Sequence, residues 1–237
     1  MQRPYSALQN LLLASLPAED QGLLAPHLVQ IELERGRLLY DPGDRVEQVY
    51  FPHDGVISMM TLMESGAAIE SATIGREGAL GISAAVSPRQ SLVRAIVQTP
   101  TRAARINAVP LHEAWERSPR LRELVDRHGE ALFGHAIQSV ACNALHSVEA
   151  RFCRWLLTCH DRISTDTVAL TQEFLADMLG VQRTTVTAVA RALQEKGAIR
   201  YRRGVVDIID RPVLEALACE CYGVIRRTYE RLLPEAR

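Results

Sequence analysis

Long apolar runs are scarce in this chain of 237 residues. The run Leu11-Leu12-Leu13 near the N-terminus is far shorter than the roughly 20 apolar residues that cross a bilayer, and no small-residue cleavage pattern follows it. An excess of one charge is also missing, because 27 Lys and Arg against 28 Asp and Glu residues give a net charge of -1. We therefore predict a cytoplasmic protein without a membrane partner, and not one that is basic throughout.

The chain has no CxxC pair, and its five cysteines make an odd total, so a disulfide framework is not expected. All five lie in the C-terminal half, where a metal ion or an iron–sulfur cluster has to be considered, but their spacing fits no standard ligand set. We interpret them as small buried residues and predict no cofactor, with an iron–sulfur cluster as the open alternative. The five are Cys142, Cys153, Cys159, Cys219 and Cys221.

Catalytic motifs are missing as well. The sequence contains no nucleophile elbow, no phosphate-binding glycine loop and no paired His-Glu motif. A metal-binding jelly roll of the cupin type would need two neighbouring histidines on one strand, whereas His27, His53 and His112 are scattered. We predict that the protein is not an enzyme; a jelly-roll enzyme or metal sensor with an accessory C-terminal domain is the alternative.

What the chain does contain, from Val29 to Ile106, is a series of short β-favouring runs separated by turn residues. Many short strands at regular spacing are typical of a sandwich or a jelly-roll barrel. Leucines at helical spacing between Ser6 and Leu24 predict a small helical cap before it. The predicted strands cover Val29 to Leu33, Arg37 to Tyr40, Val46 to Phe51, Val56 to Met63, Ala68 to Ile74 and Leu92 to Val97.

A long helix is predicted from Ser118-Pro119 to about Leu145. Eight of its residues repeat at alternating steps of three and four, the spacing of a two-stranded coiled coil, which predicts a homodimer. These are Leu121, Leu124, His128, Ala131, His135, Gln138, Cys142 and Leu145. The alternative is a helix packed on its own sheet through Val125, Leu132, Ala136 and Val140, and both faces can be buried at once. A hinge at Asn143 to Ser147 and a helix from Val148 to His160 follow.

A helix-turn-helix is predicted next. Thr171 is a suitable N-cap for a short amphipathic helix that Gly180 ends. After Gly180-Val181-Gln182, a second helical run places Val186, Val189, Ala190 and Leu193 on one face and stops at Gly197. The residues from Ala198 to Ile209 form two β-favouring runs around a basic turn, which predicts a hairpin wing.

The order of helix pair, hairpin and clustered positive charge indicates binding to double-stranded DNA. Gln182, Arg183, Thr184 and Thr187 begin the second helix and are predicted to face base edges, with Arg183 contacting guanine. Phosphate contacts are predicted for Thr171, Gln172 and Arg191 around the helix pair and for Arg202 and Arg203 at the wing tip. The alternative is a helical domain with a solvated basic face.

With these elements in this order, the chain resembles the Crp/Fnr superfamily of bacterial regulators over nearly its whole length. The resemblance implies an α+β fold with a cyclic-nucleotide-binding-like jelly roll (1–118), a long dimerisation helix and hinge (119–146) and a winged helix-turn-helix (147–237). It also implies a homodimer on a pseudo-palindromic site, an effector-controlled DNA affinity and RNA polymerase as a further partner. The matching segments are Tyr40-Asp41-Pro42-Gly43-Asp44, Val49-Tyr50-Phe51, Gly55-Val56, Ile74-Gly75-Arg76-Glu77-Gly78, Leu170-Thr171-Gln172-Glu173-Phe174-Leu175-Ala176 and Leu179-Gly180-Val181-Gln182-Arg183-Thr184-Thr185-Val186.

The sensory half departs from the pattern of cyclic-AMP-binding members. Gly75-Arg76 stands where a Gly-Glu pair would hold the ribose, and Ser91-Leu92 stands where an Arg-Ser or Arg-Thr pair would hold the phosphate. Arg89 and Arg94 lie close and are the candidate substitutes. Binding of cyclic AMP is therefore not expected, and the jelly roll is predicted to sense another signal or to serve only as a dimerisation platform. No N-terminal cysteine cluster occurs. Haem stays open because His53, His128 and His135 could each offer an axial nitrogen, although a structural role is favoured for them.

Overall fold

The computed structural model describes residues 10–86 and 89–233, without the side chains of Ala84 and Ala85. The start of the predicted helical cap and the predicted turn at Ser87-Pro88 lie outside the described residues. The rest of the cap forms two short helices, α1 (Leu11–Ser15) and α2 (Ala18–Leu24), followed by a 3-10 turn at Ala25–His27.

The N-terminal half is a two-sheet jelly roll of seven antiparallel strands. One sheet has the order β1-β7-β3 and the other has the order β2-β6-β4-β5. The strands are β1 (Val29–Leu33), β2 (Leu38–Tyr40), β3 (Gln48–Pro52), β4 (Ile57–Leu62), β5 (Ala68–Ile74), β6 (Arg94–Val97) and β7 (Thr101–Asn107). The predicted strands are all present, within two residues at each end.

The prediction omitted β7, although this strand is the centre of its sheet. Its residues alternate only partly: Ala103 and Ala104 are buried between Arg102 and Arg105, and Ile106 is buried after them. Small alanines and interspersed arginines give little β signal in a sequence, because strand propensity depends mostly on packing against neighbours.

Two helices continue the chain after the sheets, α3 (Ala108–Arg117) and α4 (Pro119–Leu145). Ser118 caps α4 by accepting a hydrogen bond from the amide of Leu121 at 2.9 Å, and Pro119 takes the first helical position, where it loses no hydrogen bond. The predicted long helix is therefore confirmed. The chain leaves it at His146 and Ser147, later than the start of the predicted hinge.

The face of α4 predicted as the dimer seam points into the chain itself. Sheet strand β5 and the C-terminal helix α9 (Cys221–Leu232) pack along α4. Side chains buried in their own chain cannot line an interface with a second copy in this arrangement, and the predicted seam is corrected on this ground. Leu145 is exposed and Gln138 is half-buried, whereas the other six seam residues, Leu121, Leu124, His128, Ala131, His135 and Cys142, are at most 5% exposed.

Another face of α4 is apolar and exposed. Phe133, Ile137 and Val140 are 68%, 54% and 72% exposed, and Ala144 continues their row. Their steps of four, three and four follow a heptad. The alternative predicted from the sequence is a helix packed on its own sheet through a face that includes Val125 and Val140. That alternative is correct for Val125, which is buried, and wrong for Val140, which is exposed.

The C-terminal half begins with α5 (Val148–His160), which has the predicted bounds and is capped by Ser147. It is followed by β8 (Thr167–Ala169), α6 (Gln172–Leu179), α7 (Arg183–Glu195), β9 (Ile199–Arg202), β10 (Val205–Ile208), α8 (Arg211–Leu217) and α9. The three strands form one sheet of order β8-β10-β9. Helices α5 to α8 and this sheet enclose the second hydrophobic core, with Trp155 and Phe152 as its largest side chains.

The two halves contact each other directly and are not joined by a linker alone. Val56 of the jelly roll belongs to the second core, while Ile225, Tyr229 and Leu233, in α9 and just after it, belong to the first. Helix α9 therefore contacts both cores, with Tyr222 near its start against the second core and Ile225 and Tyr229 in the first.

A buried polar contact joins the halves. Glu70 of β5 accepts hydrogen bonds from Trp155 Nε1 at 3.0 Å and from Ser58 Oγ at 2.6 Å. Arg162, just after α5, is buried and pairs with Glu77 and Thr73 of the jelly roll. Loss of either contact would leave a buried polar group without a partner.

Candidate nucleic-acid interface

Local caps fix the geometry of the helix pair α6 and α7. Thr171 Oγ1 accepts a hydrogen bond from the amide of Phe174 at 3.2 Å, which starts α6. Gly180 ends it in the left-handed conformation with φ 62°, and only Val181 and Gln182 separate it from α7. A turn this short holds the second helix across the first, as in a helix-turn-helix.

Helix α7 turns its apolar face inward and its N-terminal polar residues outward. Val186, Ala190 and Leu193 are buried in the second core. Gln182, Arg183, Thr184 and Thr187 are exposed, and their contact with base edges stays a prediction. Arg183 Nε donates to Gln172 Oε1 at 3.4 Å, so the first residues of the two helices are adjacent. The positive end of the α7 dipole lies at the same place.

The wing is a two-residue hairpin between β9 and β10. Arg203 and Gly204 both have positive φ, 49° and 78°, which is the conformation of a type I′ turn. Register pairs Arg202 with Val205 next to the turn. Arg202 and Arg203 are both exposed at the tip.

Six cations lie between Val181 and Gly204, and salt bridges divide them into two groups. Arg191 pairs with Glu195 at 2.9 Å, Arg200 pairs with Asp207 at 3.2 Å, and Lys196 pairs with Glu149. Within the described part of the chain, Arg183, Arg202 and Arg203 form no salt bridge. Their charges are therefore the ones available to an anion without breaking an internal pair.

Two of these unpaired cations, Arg183 and Arg203, and both helix starts meet around one shallow depression. It is lined by Thr171, Gln172, Arg183, Tyr201, Arg203 and Gly204. Tyr201 was not predicted for this site. Its hydroxyl donates to the carbonyl of Leu170 at 2.9 Å, so the ring ties the wing to the residue before Thr171. A single tyrosine in a β-favouring run indicates only a strand, so no sequence signal assigned Tyr201 to the candidate interface.

The segments expected to hold a cyclic nucleotide have other partners. The Arg162 side chain packs on Gly75, where a Cβ atom would overlap it, and Glu77 pairs with the same arginine. Leu92 is 90% exposed. Arg94, one of the two candidate substitutes, donates two hydrogen bonds of 2.8 Å to the carboxylate of Asp41.

Each histidine considered for haem has a ring nitrogen engaged within the chain. His128 Nε2 accepts from the amide of Ala79 at 3.1 Å, and burial lowers its pKa to about 4. His135 Nδ1 lies 3.5 Å from the hydroxyl of Tyr229. His53 Nε2 donates to Gln30 Oε1 at 2.7 Å. Each of the three buried histidines thus has a polar contact within its own chain.

No helix among the described residues has the length and apolar character needed to cross a membrane. All five cysteines are buried, as predicted. Three of them share one small cluster with His146, which the sequence did not indicate.

Comparison with known proteins assigns both halves. The family model described as "Cyclic nucleotide-binding domain" matches residues 30–118, and the one described as "Crp-like helix-turn-helix domain" matches residues 150–217. A global nitrogen regulator from Nostoc sp. is 23% identical over 185 residues, covering 74% of this chain and 82% of the relative.

Solved structures show the same fold. FixK2 from Bradyrhizobium japonicum superposes with a TM-score of 0.68 at 16% identity, over 81% of this chain and 98% of its own. A putative Crp/Fnr regulator from Eubacterium rectale gives a TM-score of 0.67 at 19% identity, over 85% and 94%. The two matched domains in this order, on either side of a long helix, show that the chain belongs to the Crp/Fnr family of transcription regulators.

Proposed function

We propose that the protein is a cytoplasmic transcription regulator that binds a pseudo-palindromic DNA site as a homodimer and responds to an effector other than cyclic AMP, with RNA polymerase as a further partner. The observation that carries the DNA contact is the position of Arg183, Arg202 and Arg203. All three are exposed and lack salt bridges among the described residues, and Arg183 and Arg203 line the same depression beside the starts of α6 and α7.

Each part of this surface has a distinct role in the proposal. Arg183 at the start of α7 donates to O6 and N7 of a guanine, flanked by Gln182, Thr184 and Thr187. The start of α6, with Thr171 and Gln172, binds backbone phosphate together with the wing. Arg191 reaches phosphate only after releasing Glu195, so its contribution is the smaller one.

The exposed row Phe133, Ile137, Val140 and Ala144 supports the homodimer. Large apolar side chains repeated at heptad spacing on one exposed helix face are what a parallel helix pair buries. Pairing two copies along α4 would place two winged helices around one axis, which is the arrangement that an inverted-repeat DNA site requires.

The residues at the expected phosphate position support an effector other than cyclic AMP, although Arg89 nearby is exposed and forms no salt bridge among the described residues. Ser91 and Leu92 carry no charge, and the guanidinium of Arg94 is already neutralised by Asp41. A buried cyclic phosphate without a paired cation would be costly.

The proposal is tested by selecting binding sites for the full-length protein from a promoter library and measuring affinity over a range of salt concentrations. We expect an enriched inverted repeat with half-sites about 10 base pairs apart. Arg183→Ala should cost about 1–3 kcal/mol at a guanine position of each half-site and relax the preference there. Arg120→Ala, which removes an exposed arginine of α4, should bind like the parent. The proposal fails if the parent selects no sequence in any effector state.

A further inference from the structure

Three cysteines and a histidine meet where α4 ends and the chain turns from α8 into α9. Cys142 lies in the last turn of α4 and His146 directly follows that helix. Cys219 lies in the α8–α9 connection and Cys221 is the first residue of α9. Their ligand atoms all lie within 4.8 Å of one another.

The distances within this cluster suit a single tetrahedral metal ion. Cys142 Sγ is 3.5 Å from Cys219 Sγ, and Cys221 Sγ is 3.5 Å from His146 Nδ1. Zn–S and Zn–N bonds meeting at a tetrahedral angle separate the ligand atoms by about 3.5–3.8 Å. An iron–sulfur cluster would distribute its ligands over several irons and hold them farther apart. A disulfide would bring two sulfurs to about 2.05 Å.

The surroundings of the cluster match those of a metal site. His146 Nε2 lies 3.1 Å from a carboxylate oxygen of Glu220, which leaves Nδ1 facing the sulfurs. A metal-binding histidine commonly donates its second ring N–H to a carboxylate, because this fixes the tautomer and the ring orientation. Gln138 Nε2 donates to Cys221 Sγ at 3.0 Å, a contact that stabilises a thiolate.

Buried positive charge adjoins the thiols. Arg151 and Arg154 are 6% and 7% exposed, and the Nε atom of each is buried without a hydrogen-bond partner in the described part of the chain. Arg151 interacts electrostatically with Cys142 and Cys219, and Arg154 with Cys142. Arg154 also faces Glu70, whereas Arg151 forms no salt bridge with any described residue. Three thiolates around a divalent cation carry a net negative charge, which would compensate Arg151.

We propose that Cys142, His146, Cys219 and Cys221 bind one Zn2+ ion as a structural Cys3His site. The ion fastens the end of α4 to the start of α9 and closes a loop that contains the whole winged helix. Cys142 and Cys219 are 77 positions apart in the sequence. The site therefore holds both ends of the winged helix in fixed positions relative to the long helix α4.

Metal analysis of the purified full-length protein tests the proposal. We expect one zinc ion per chain in the parent and in Cys153→Ala, which removes a buried cysteine of α5 outside the cluster. Cys219→Ala and Cys221→Ala should lose the zinc. His146→Ala should lose it too, while His146→Cys should retain it, because four cysteines also form a structural zinc site. Glu220→Gln should weaken zinc affinity about tenfold.

A second measurement does not depend on folded variants. The parent, stripped with a chelator and titrated with Co2+, should develop the thiolate-to-metal charge-transfer and visible bands of tetrahedral cobalt, and Zn2+ should displace them at one equivalent. The proposal is overturned if the parent binds neither metal, if Cys219→Ala and Cys221→Ala keep full zinc, or if iron and sulfide are found instead. None of these readouts depends on DNA binding.

Discussion

At the scale of single residues, the wing presents two arginines whose backbone conformations differ. Arg202 ends β9 in extended conformation, whereas Arg203 has a φ of 49°. A residue with positive φ is best replaced by asparagine, since its short polar side chain tolerates the left-handed region. Arg202→Gln with Arg203→Asn therefore removes both charges and keeps the type I′ turn.

We expect this double variant to weaken binding to all DNA sequences alike. Loss of two phosphate contacts should lower the slope of log affinity against log salt by about two per chain, since each contact releases nearly one counterion. Binding titrations at several salt concentrations, on the selected site and on a scrambled one, measure this. Arg120→Gln, which removes one exposed positive charge from α4, serves as the control and should leave the slope unchanged. An unchanged slope in the wing variant would remove the wing from the interface.

Residue types alone could identify most of the proposed DNA surface, because the caps and turns around it are local. Thr171, Gly180 and Gly204 each act within a few positions of themselves. The pairing state of the cations could not be predicted this way. Lys196 meets Glu149 across 47 positions, a contact that exists only once α5 and the end of α7 are packed together.

At the scale of elements, α4 shows that a heptad repeat predicts which residues share a helix face but not what that face packs against. Apolar and small residues occur on two faces of this helix, and each face satisfies steps of three and four. Which face meets its own chain depends on β5 and α9, whose contacts with α4 are tertiary. The sequence therefore predicted the helix itself, whereas the face chosen for the seam is buried in its own chain.

The exposed row on α4 makes a specific prediction about assembly. Ile137→Glu and Val140→Glu place charges on a face that is exposed in the single chain, so each chain should fold as the parent does. Burial of a glutamate in a helix pair is unfavourable, and the variants should become monomeric while the parent is dimeric. Light scattering after size exclusion, with circular dichroism as the folding check, measures this.

Arg120→Glu adds the same side chain off this row and should leave the dimer intact. If Ile137→Glu and Val140→Glu remain dimeric at the same concentration, the proposed seam is wrong, whatever the DNA affinity.

At the scale of the whole molecule, the contact between the two halves depends on the protonation of Glu70. Burial raises the pKa of this carboxyl to about 7, against the partial compensation of its hydrogen bonds and of Arg154 and Arg162. The folded protein thus holds a proton that the unfolded chain releases at about pH 4.5. The Glu70 contribution to stability is full below that pH and is lost as pH rises through about 7.

We expect Glu70→Gln to be less sensitive to this change in pH than the parent. Between pH 5 and pH 8, the difference between the two proteins in free energy of unfolding should change by on the order of 3 kcal/mol. Urea titrations at both pH values measure it. The comparison with Glu70→Gln is needed because His128 also titrates. Burial lowers the pKa of His128, so its contribution to the stability of the protein is lost as pH falls, the opposite direction to Glu70. A constant difference would contradict the assignment.

Whole-molecule relationships were the least predictable from sequence. The jelly roll and the winged helix each follow from local patterns, but the return of α9 to the first core does not. The cysteine and histidine cluster could not be predicted from sequence for the same reason. Two of its residues lie at the end of α4 and two at the start of α9, so neither pair alone resembles a metal site.

The packing of α9 against the first core also determines when this core can be completed during translation. Tyr229 packs on His135, although 94 positions separate them in the chain. On the ribosome, the jelly roll and α4 emerge well before the helix that covers them. The first core therefore stays incomplete, with an apolar groove along α4 open to solvent, until the entire winged helix has been translated. A nascent chain of this protein is expected to depend on chaperones longest in the part that emerges first.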